Sequence, residues 1–384
     1  MHFMKKVLLT LVPSLLLAAT ANASSIIKTD NSSLDIFGRA KFTAQDDSEK
    51  SSSSSFSTRL GVKGEMKDGN GTNAFFMTSW EMLSSSDKSA SNNTKTVKVA
   101  NPDKPQIKSE RLDVLSSSAS SDNISARYQF VGLGFDGIGK FTFGQTDTPF
   151  YTLVTSATDI FQYSGLEASA NTYGTPTRAS NLALYSNSFG KLSVQASYQF
   201  ETKKGSNSES GSVIDVFDGG LNTANFNTQK NAYSAAAAYA LSDALNLRAG
   251  YANQTFTEDA TKSNYGLAFD YTLGNLYLAA VYTSTIEDDN KNTTTRNGYE
   301  VAASYNLDKF TFTTGYASGT QTSDVATTTD TDTGKVMKND DISYAEAFKL
   351  GVTYKVFNNV TTIAQITHNT NGSDIFYGGL NYSF

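Results

Sequence analysis

Few side chains in this sequence could carry out a reaction. Of the two histidines, His2 precedes the apolar run from Val7 to Ala19, and His368 stands beside Asn369 with no catalytic motif around it. Acid-base catalysis needs a partner within hydrogen-bond reach, so His368 is read as a rim residue at the end of a structural element and no enzyme activity is expected. The chain has no cysteine, which removes thiol chemistry and thiolate metal sites. Asp330, Asp332 and Gly334 share the spacing that opens a calcium loop but lack its later ligands, and no phosphate-cradling glycine motif occurs. The acidic pairs Asp46-Asp47, Asp288-Asp289 and Asp340-Asp341 could hold divalent cations loosely at a lipid headgroup; no other cofactor is expected. A formal net charge of −6 disfavours nucleic acid as a partner.

The segments that hold these residues alternate with a period of two. Leu192, Val194, Ala196, Tyr198 and Phe200 fall on one face, with Lys191, Ser193, Gln195, Ser197 and Gln199 on the other. The same pattern recurs at Leu245 to Tyr251, Tyr265 to Tyr271, Leu276 to Tyr282, Tyr299 to Tyr305, Phe310 to Tyr316 and Phe348 to Tyr354. Such alternation reads as strands with one apolar face. Several apolar faces finish on Tyr or Phe, as rings do at a membrane boundary. Short connections such as Ser188-Phe189-Gly190 and Asn306-Leu307-Asp308 alternate with long polar ones such as 201–230 and 320–344. The serine run Ser51 to Ser55 and the Thr/Asp-rich stretch 322–333 read as loops.

Sixteen strands are expected between residues 34 and 384, an even number that suits an all-β, antiparallel transmembrane barrel. The mean hydropathy of −0.34 is polar, but lumen-facing residues cancel lipid-facing ones in any average. An exported β-sandwich or β-helix would also alternate, although neither needs tyrosine at the strand ends or regularly alternating loop lengths. Residues 1–23 read as a signal peptide, with Lys5 and Lys6, the apolar run, then Ala21-Asn22-Ala23. Residues 24–384 form the barrel domain, and its export into an outer membrane is the expected location.

The C-terminal alternation Phe376, Gly378, Leu380, Tyr382, Phe384 resembles the terminal signal of bacterial outer-membrane proteins. With Leu34 to Ala40, Thr58 to Glu65, Val131-Gly132-Leu133, Gly144 to Pro149 and Tyr377 to Leu380, the chain resembles the trimeric general porins of Gram-negative bacteria. The resemblance implies a homotrimer of 16-stranded barrels in contact with outer-membrane lipid and lipopolysaccharide, passing small hydrophilic solutes and ions. It also implies a third loop, residues 146–177, that folds inward and sets acidic residues against a basic wall.

Carried onto this chain, the basic wall comprises Arg39, Lys41, Arg59, Lys63, Arg127 and Arg178. Gln145 stands where the family places an arginine, so one positive charge is missing and a weak cation preference is expected. By parity Gln145 shares a face with Phe141 and Phe143, and it turns inward only if a bulge near Gly144 resets the register. On the loop, Asp147, Asp159 and Glu167 are the acidic candidates, with Asp159 and Glu167 preferred because Asp147 lies close to the strand end. The alternative is a sugar-selective pore in which Phe37, Phe75, Phe150, Tyr151, Phe161, Tyr163, Tyr173 and Tyr277 line a stacking track; a third reading is a non-conducting surface barrel or adhesin. Packing of the inward loop is the plainer use of those rings.

Overall fold

A sheet with one apolar face can cross a bilayer only when it closes, because an open edge leaves backbone N–H and C=O groups unpaired in hydrocarbon. The computed structural model describes residues 24–48, 52–85, 124–163, 165, 166, 168, 169, 176–201, 229–329, 336–370 and 374–384. The strands are β1 (Ser24–Lys28), β2 (Ser32–Asp47), β3 (Ser53–Lys67), β4 (Thr72–Ser85), β5 (Ile124–Phe135) and β6 (Gly139–Asp147), followed by β7 (Arg178–Phe189), β8 (Leu192–Gln199), β9 (Gln229–Ala240), β10 (Leu245–Phe256) and β11 (Thr261–Leu273). The rest are β12 (Leu276–Asp288), β13 (Thr293–Leu307), β14 (Phe310–Thr329), β15 (Val336–Phe357), β16 (Val360–Asn369) and β17 (Ile375–Ser383).

Strands β2 to β17 pair antiparallel in chain order, and β17 returns onto β2, which closes a 16-stranded barrel. At the seam the backbones of Gly38 and Phe384 exchange hydrogen bonds of 2.8 and 2.9 Å. Glycine is required there, since a Cβ at position 38 would lie 2.6 Å from the Phe384 ring. Past that point β1, an additional short strand, takes over the free edge of β2 from Ser33 to Ile36.

The expected parity decides which face is which. On β11, Tyr265, Leu267 and Phe269 point outward and stay exposed, while Asn264 and Asp270 are buried on the inner side. Cross-strand tyrosines form an outer row: Tyr233 and Tyr251 lie 5.9 Å apart, and Tyr251 and Tyr265 lie 4.9 Å apart. At the opposite rim Phe310 and Tyr354 lie 4.7 Å apart. These are the aromatic girdles of a membrane barrel. Tight turns close the end that carries Gly190 and Gly274, both at positive φ. In another of these turns the Asp68 carboxylate accepts from the amides of Asn70 and Thr72 at 2.7 and 2.9 Å. These backbone donors hold its pKa below the usual carboxylate value.

The structure departs from the sequence reading in its loops. Much of 320–344 is strand: β14 runs to Thr329 and β15 starts at Val336, pairing through several register shifts. Threonine and valine favour extended backbone, and each strand satisfies the other's backbone groups beyond the rim. Ser53, Ser54 and Ser55 likewise belong to β3, opposite Gln45, Ala44 and Thr43. The signal segment 1–23, Asp330, Asp332, Gly334 and most of the long connection 84–123 fall outside the described residues.

Candidate functional site: a basic wall and a loop inside the barrel

Inward parity on three consecutive strands brings Arg39, Arg59 and Glu81 together. Arg39 pairs directly with Arg59 across β2 and β3, and Arg59 pairs with Glu81 across β3 and β4. Two arginines in direct opposition repel, and the carboxylate relieves this. Glu81 accepts from Arg39 Nη2 at 2.8 Å, Arg59 Nη2 at 3.1 Å and Arg127 Nη1 at 2.9 Å. Arg127 reaches it from β5 because the register shifts between Ser79 and Trp80. Charge-assisted bonds of this kind hold the guanidinium planes in a fixed fan. The sequence reading missed Glu81, although its parity with Phe75 and Met77 placed it on the inner face.

The remaining wall residues divide by height and partner. Lys63 lies 3.7 Å from Asp35, toward the tight-turn end. Lys41 sits with its ammonium 5.4 Å from the Tyr377 ring centroid. Gly144 adopts φ +129°, the register shifts between Gly144 and Thr146, and the Gln145 side chain is buried. That is the bulge on which an inward Gln145 depended. Its amide donates to the carbonyls of Ala126 at 2.7 Å and Arg127 at 3.2 Å, so it braces the backbone beneath the arginines. Asn181, with φ +56°, accounts for the broken alternation after Arg178.

Asp147 is corrected from a loop acid to a wall residue. It ends β6, accepts from Tyr128 Oη at 3.0 Å and lies 3.8 Å from Arg178, whose guanidinium covers the Tyr128 ring at 5.2 Å. The strand continues up to Asp147 before the chain turns, which keeps this carboxylate against the sheet.

The segment between β6 and β7 lies along the inner face. Thr148 caps the short helix α1 (Pro149–Leu153), its hydroxyl accepting from the Tyr151 amide, with Pro149 in the first turn. Phe150 and Val154 seat on Gly250 and Gly266 of β10 and β11; Cβ atoms at these glycines would lie 2.8 Å from Val154 Cγ2 and 2.7 Å from Phe150 Cζ. Tyr277 donates to the Ala157 carbonyl at 2.8 Å. Glu300 on β13, also missed from sequence, accepts from Thr158 Oγ1 at 2.7 Å and from the amides of Ala168 and Ser169 at 2.9 and 3.0 Å. It therefore fastens two separated points of the loop.

Asp159 is the loop carboxylate that the structure describes, and it accepts from Tyr151 Oη at 2.8 Å. Burial and the Asp159 charge push the Tyr151 phenol above its ordinary pKa, so this partner is a neutral donor. Glu167 and Tyr173 lie outside the described residues.

The proposed stacking track does not form as a run of open rings. Phe37 is 4 % exposed and Phe150 is 1 % exposed. Phe37 packs on Gly61, and Phe75 packs on Gly132. Tyr163 stacks on Tyr377 with ring centroids 4.8 Å apart, and Phe161 lies under the Lys349 ammonium at 4.8 Å. Packing within the wall takes up Phe37 and Phe75, and fixing the loop to the wall takes up Phe150, Phe161 and Tyr163.

Elsewhere, His368 Nδ1 and Asp374 Oδ1 meet at 2.5 Å on the exposed rim. Asp289 Oδ1 accepts from the amides of Lys291 and Asn292, shaping a turn. Among the described residues no cluster of three or more His, Cys, Asp or Glu is placed to hold a metal. The side chains of Asp340 and Asp341 are not described.

Comparison with known proteins agrees with this architecture. The chain is 35% identical over 197 residues to outer membrane protein U of Vibrio parahaemolyticus, covering 51% of this chain and 52% of that protein. It is 31% identical over 217 residues to porin-like protein L of Photobacterium profundum, covering 52% and 54%. The chain thus spans about half the length of these relatives. Outer membrane porin C of Enterobacter cloacae is 28% identical over 299 residues, covering 73% of this chain and 70% of that protein. In fold, the chain superposes on OmpF of Salmonella typhi, solved in complex with daunomycin, with a TM-score of 0.68 at 18% identity, covering 94% of this chain and all of that one. It also superposes on a trimer form of OmpT from Vibrio cholerae, with a TM-score of 0.62 at 16% identity over 92% of this chain and all of that one. The sequence model of the Gram-negative porins matches residues 9–374, and the chain belongs to that family of outer-membrane barrels.

Proposed function

We infer that this protein is a water-filled channel for passive diffusion of small hydrophilic solutes and ions, working as a homotrimer and weakly preferring cations. The observation that carries this reading is the placing of unlike charges on two separate elements of the barrel interior, the wall of β2 to β5 and the loop after β6. Arg39, Arg59 and Arg127 converge on Glu81, and the loop inside the barrel carries Asp159 on a neutral phenol. Charged groups on opposed walls make a transverse field, and rings of charge set ion preference. The preference leans to cations because the arginines share a carboxylate, Gln145 adds no charge, and the chain as a whole carries −6. Family kinship and the trimer form of a neighbouring fold support the assembly.

Planar-bilayer recording tests the reading. Steps in triplets, insensitive to added maltooligosaccharides, are expected. Dose-dependent block by these sugars would favour the sugar-selective alternative, and absence of any steps from correctly folded protein would favour a closed surface barrel.

The outward-facing rim is the proposed contact with lipid. Asp46, whose carboxylate accepts from Ser52 Oγ at 2.6 Å, is the proposed point at which a divalent ion would bridge to a lipopolysaccharide phosphate.

A further inference from the structure

The loop is held by anchors of different character. Phe150 and Val154 pack its first half into the wall, and Glu300 bonds it on both sides of the tip, at Thr158 and at Ala168 and Ser169. Its tip, residues 160–163, reaches the strands at which the barrel closes and is held there by polar groups beside stacked rings. Gln365 on β16 faces inward and is 6 % exposed. Its Oε1 accepts from the amides of Gln162 and Tyr163, both at 3.3 Å, and its Nε2 donates to the Tyr163 carbonyl. One carboxamide thus meets the loop backbone as a neighbouring strand would, with acceptor and donor both used. Around it, Tyr163 lies on Tyr377 of β17, and the Lys41 ammonium of β2 lies 5.4 Å from the Tyr377 ring centroid and 3.5 Å from the Gln162 carbonyl.

We propose that Gln365 is the positioning residue that sets the aperture by fixing the loop tip, and with it Asp159, at a constant distance from the arginine fan. The role rests on the reading that this loop narrows the channel. It follows from chemistry available to a primary amide alone: a carboxylate could accept from the two amides but would face the Tyr163 carbonyl without a donor, and an aliphatic side chain would leave three backbone groups unpaired. At the tip Phe161 packs on Gly315 and Tyr163 on Tyr377, and the Gln365 bonds fix the backbone that carries these rings.

The absence of cysteine makes a direct test clean. Gln162→Cys, whose side chain is exposed at the tip, is made in three backgrounds: Gln365, Gln365→Ala and Gln365→Glu. Each is inserted in a planar bilayer and treated with a cationic methanethiosulfonate. With Gln365 present, labelling lowers single-channel conductance. In Gln365→Ala, open-channel current noise rises at least threefold and the conductance change on labelling falls to half or less; Gln365→Glu, which retains the acceptors alone, falls between. Heat-resistant migration of the folded protein is unchanged in all three, because the backbone ladder of β16 is intact. Equal noise and equal labelling response with and without Gln365 would remove the role from this residue while leaving the constricting loop in place. No labelling response in any background would remove the constricting loop itself, and the role with it.

Discussion

Arg59 and Glu81 stand directly opposite one another on β3 and β4, 3.1 Å apart at their closest charged atoms. Because Arg39 and Arg127 reach the same carboxylate, this one acid both holds three guanidinium groups in place and offsets part of their charge. Replacing it with glutamine removes the offset. One unit charge about 8 Å from a permeating ion contributes about 0.5 kcal/mol in water, of opposite sign for a cation and an anion, so the ratio of their permeabilities changes roughly fivefold. Glu81→Gln is therefore expected to move the cation-to-anion permeability ratio toward anions by about that factor, read from reversal potentials in a salt gradient. An unchanged ratio would place the fan away from the ion path.

The loop's apolar anchor makes a separate prediction. Phe150 is almost wholly enclosed by the inner wall, beside Gly266, and truncating such a ring costs about 3 kcal/mol or more. Phe150→Ala should raise mean conductance and its variance while the barrel remains folded. Single-channel recording distinguishes this from a loop held by Glu300 alone, which would leave both quantities as in the parent.

Closure of the barrel depends on contact between its first and last strands. A side chain at position 38 meets both the Phe384 ring and the Arg59 carbonyl, each 2.6 Å from a Cβ placed there. Gly38→Val is expected to lower the folded yield several-fold, measured by the heat-modifiable shift in electrophoretic mobility. Normal yield would show that the seam tolerates displacement of Phe384.

Much of this design was legible in the sequence. Period-two alternation gives the barrel and its faces because a strand must send successive side chains to opposite sides, and the tyrosine endings mark the boundary. The wall arginines followed from parity and resemblance. Glu81 carried the right parity but could be assigned a role only once β3 and β4 were in register. Glu300 and Gln365 were beyond reach: each acts on a loop more than a hundred residues earlier in the chain, and a lone inward polar residue gives no sign of such a contact. Asp147 already read as the weakest loop acid because it lies close to the strand end, and β6 does run through it. The Thr-rich hairpin misled because low-complexity polar sequence is a poor guide where two β-branched edges can pair.

Removal of divalent ions tests the rim. If Asp46 shares an ion with lipopolysaccharide phosphate, chelation should lower the melting temperature of the assembly in native outer-membrane vesicles by several degrees, and Asp46→Asn should abolish that sensitivity. Equal melting with and without chelator would exclude the bridge.

The central claim is a passive pore whose opposed charges lean toward cations. Its most direct test is the reversal potential of the unmodified protein in a planar bilayer under a tenfold potassium chloride gradient. Stable conductance with a reversal potential of cation-selective sign is expected. A reversal potential of anion-selective sign would contradict it.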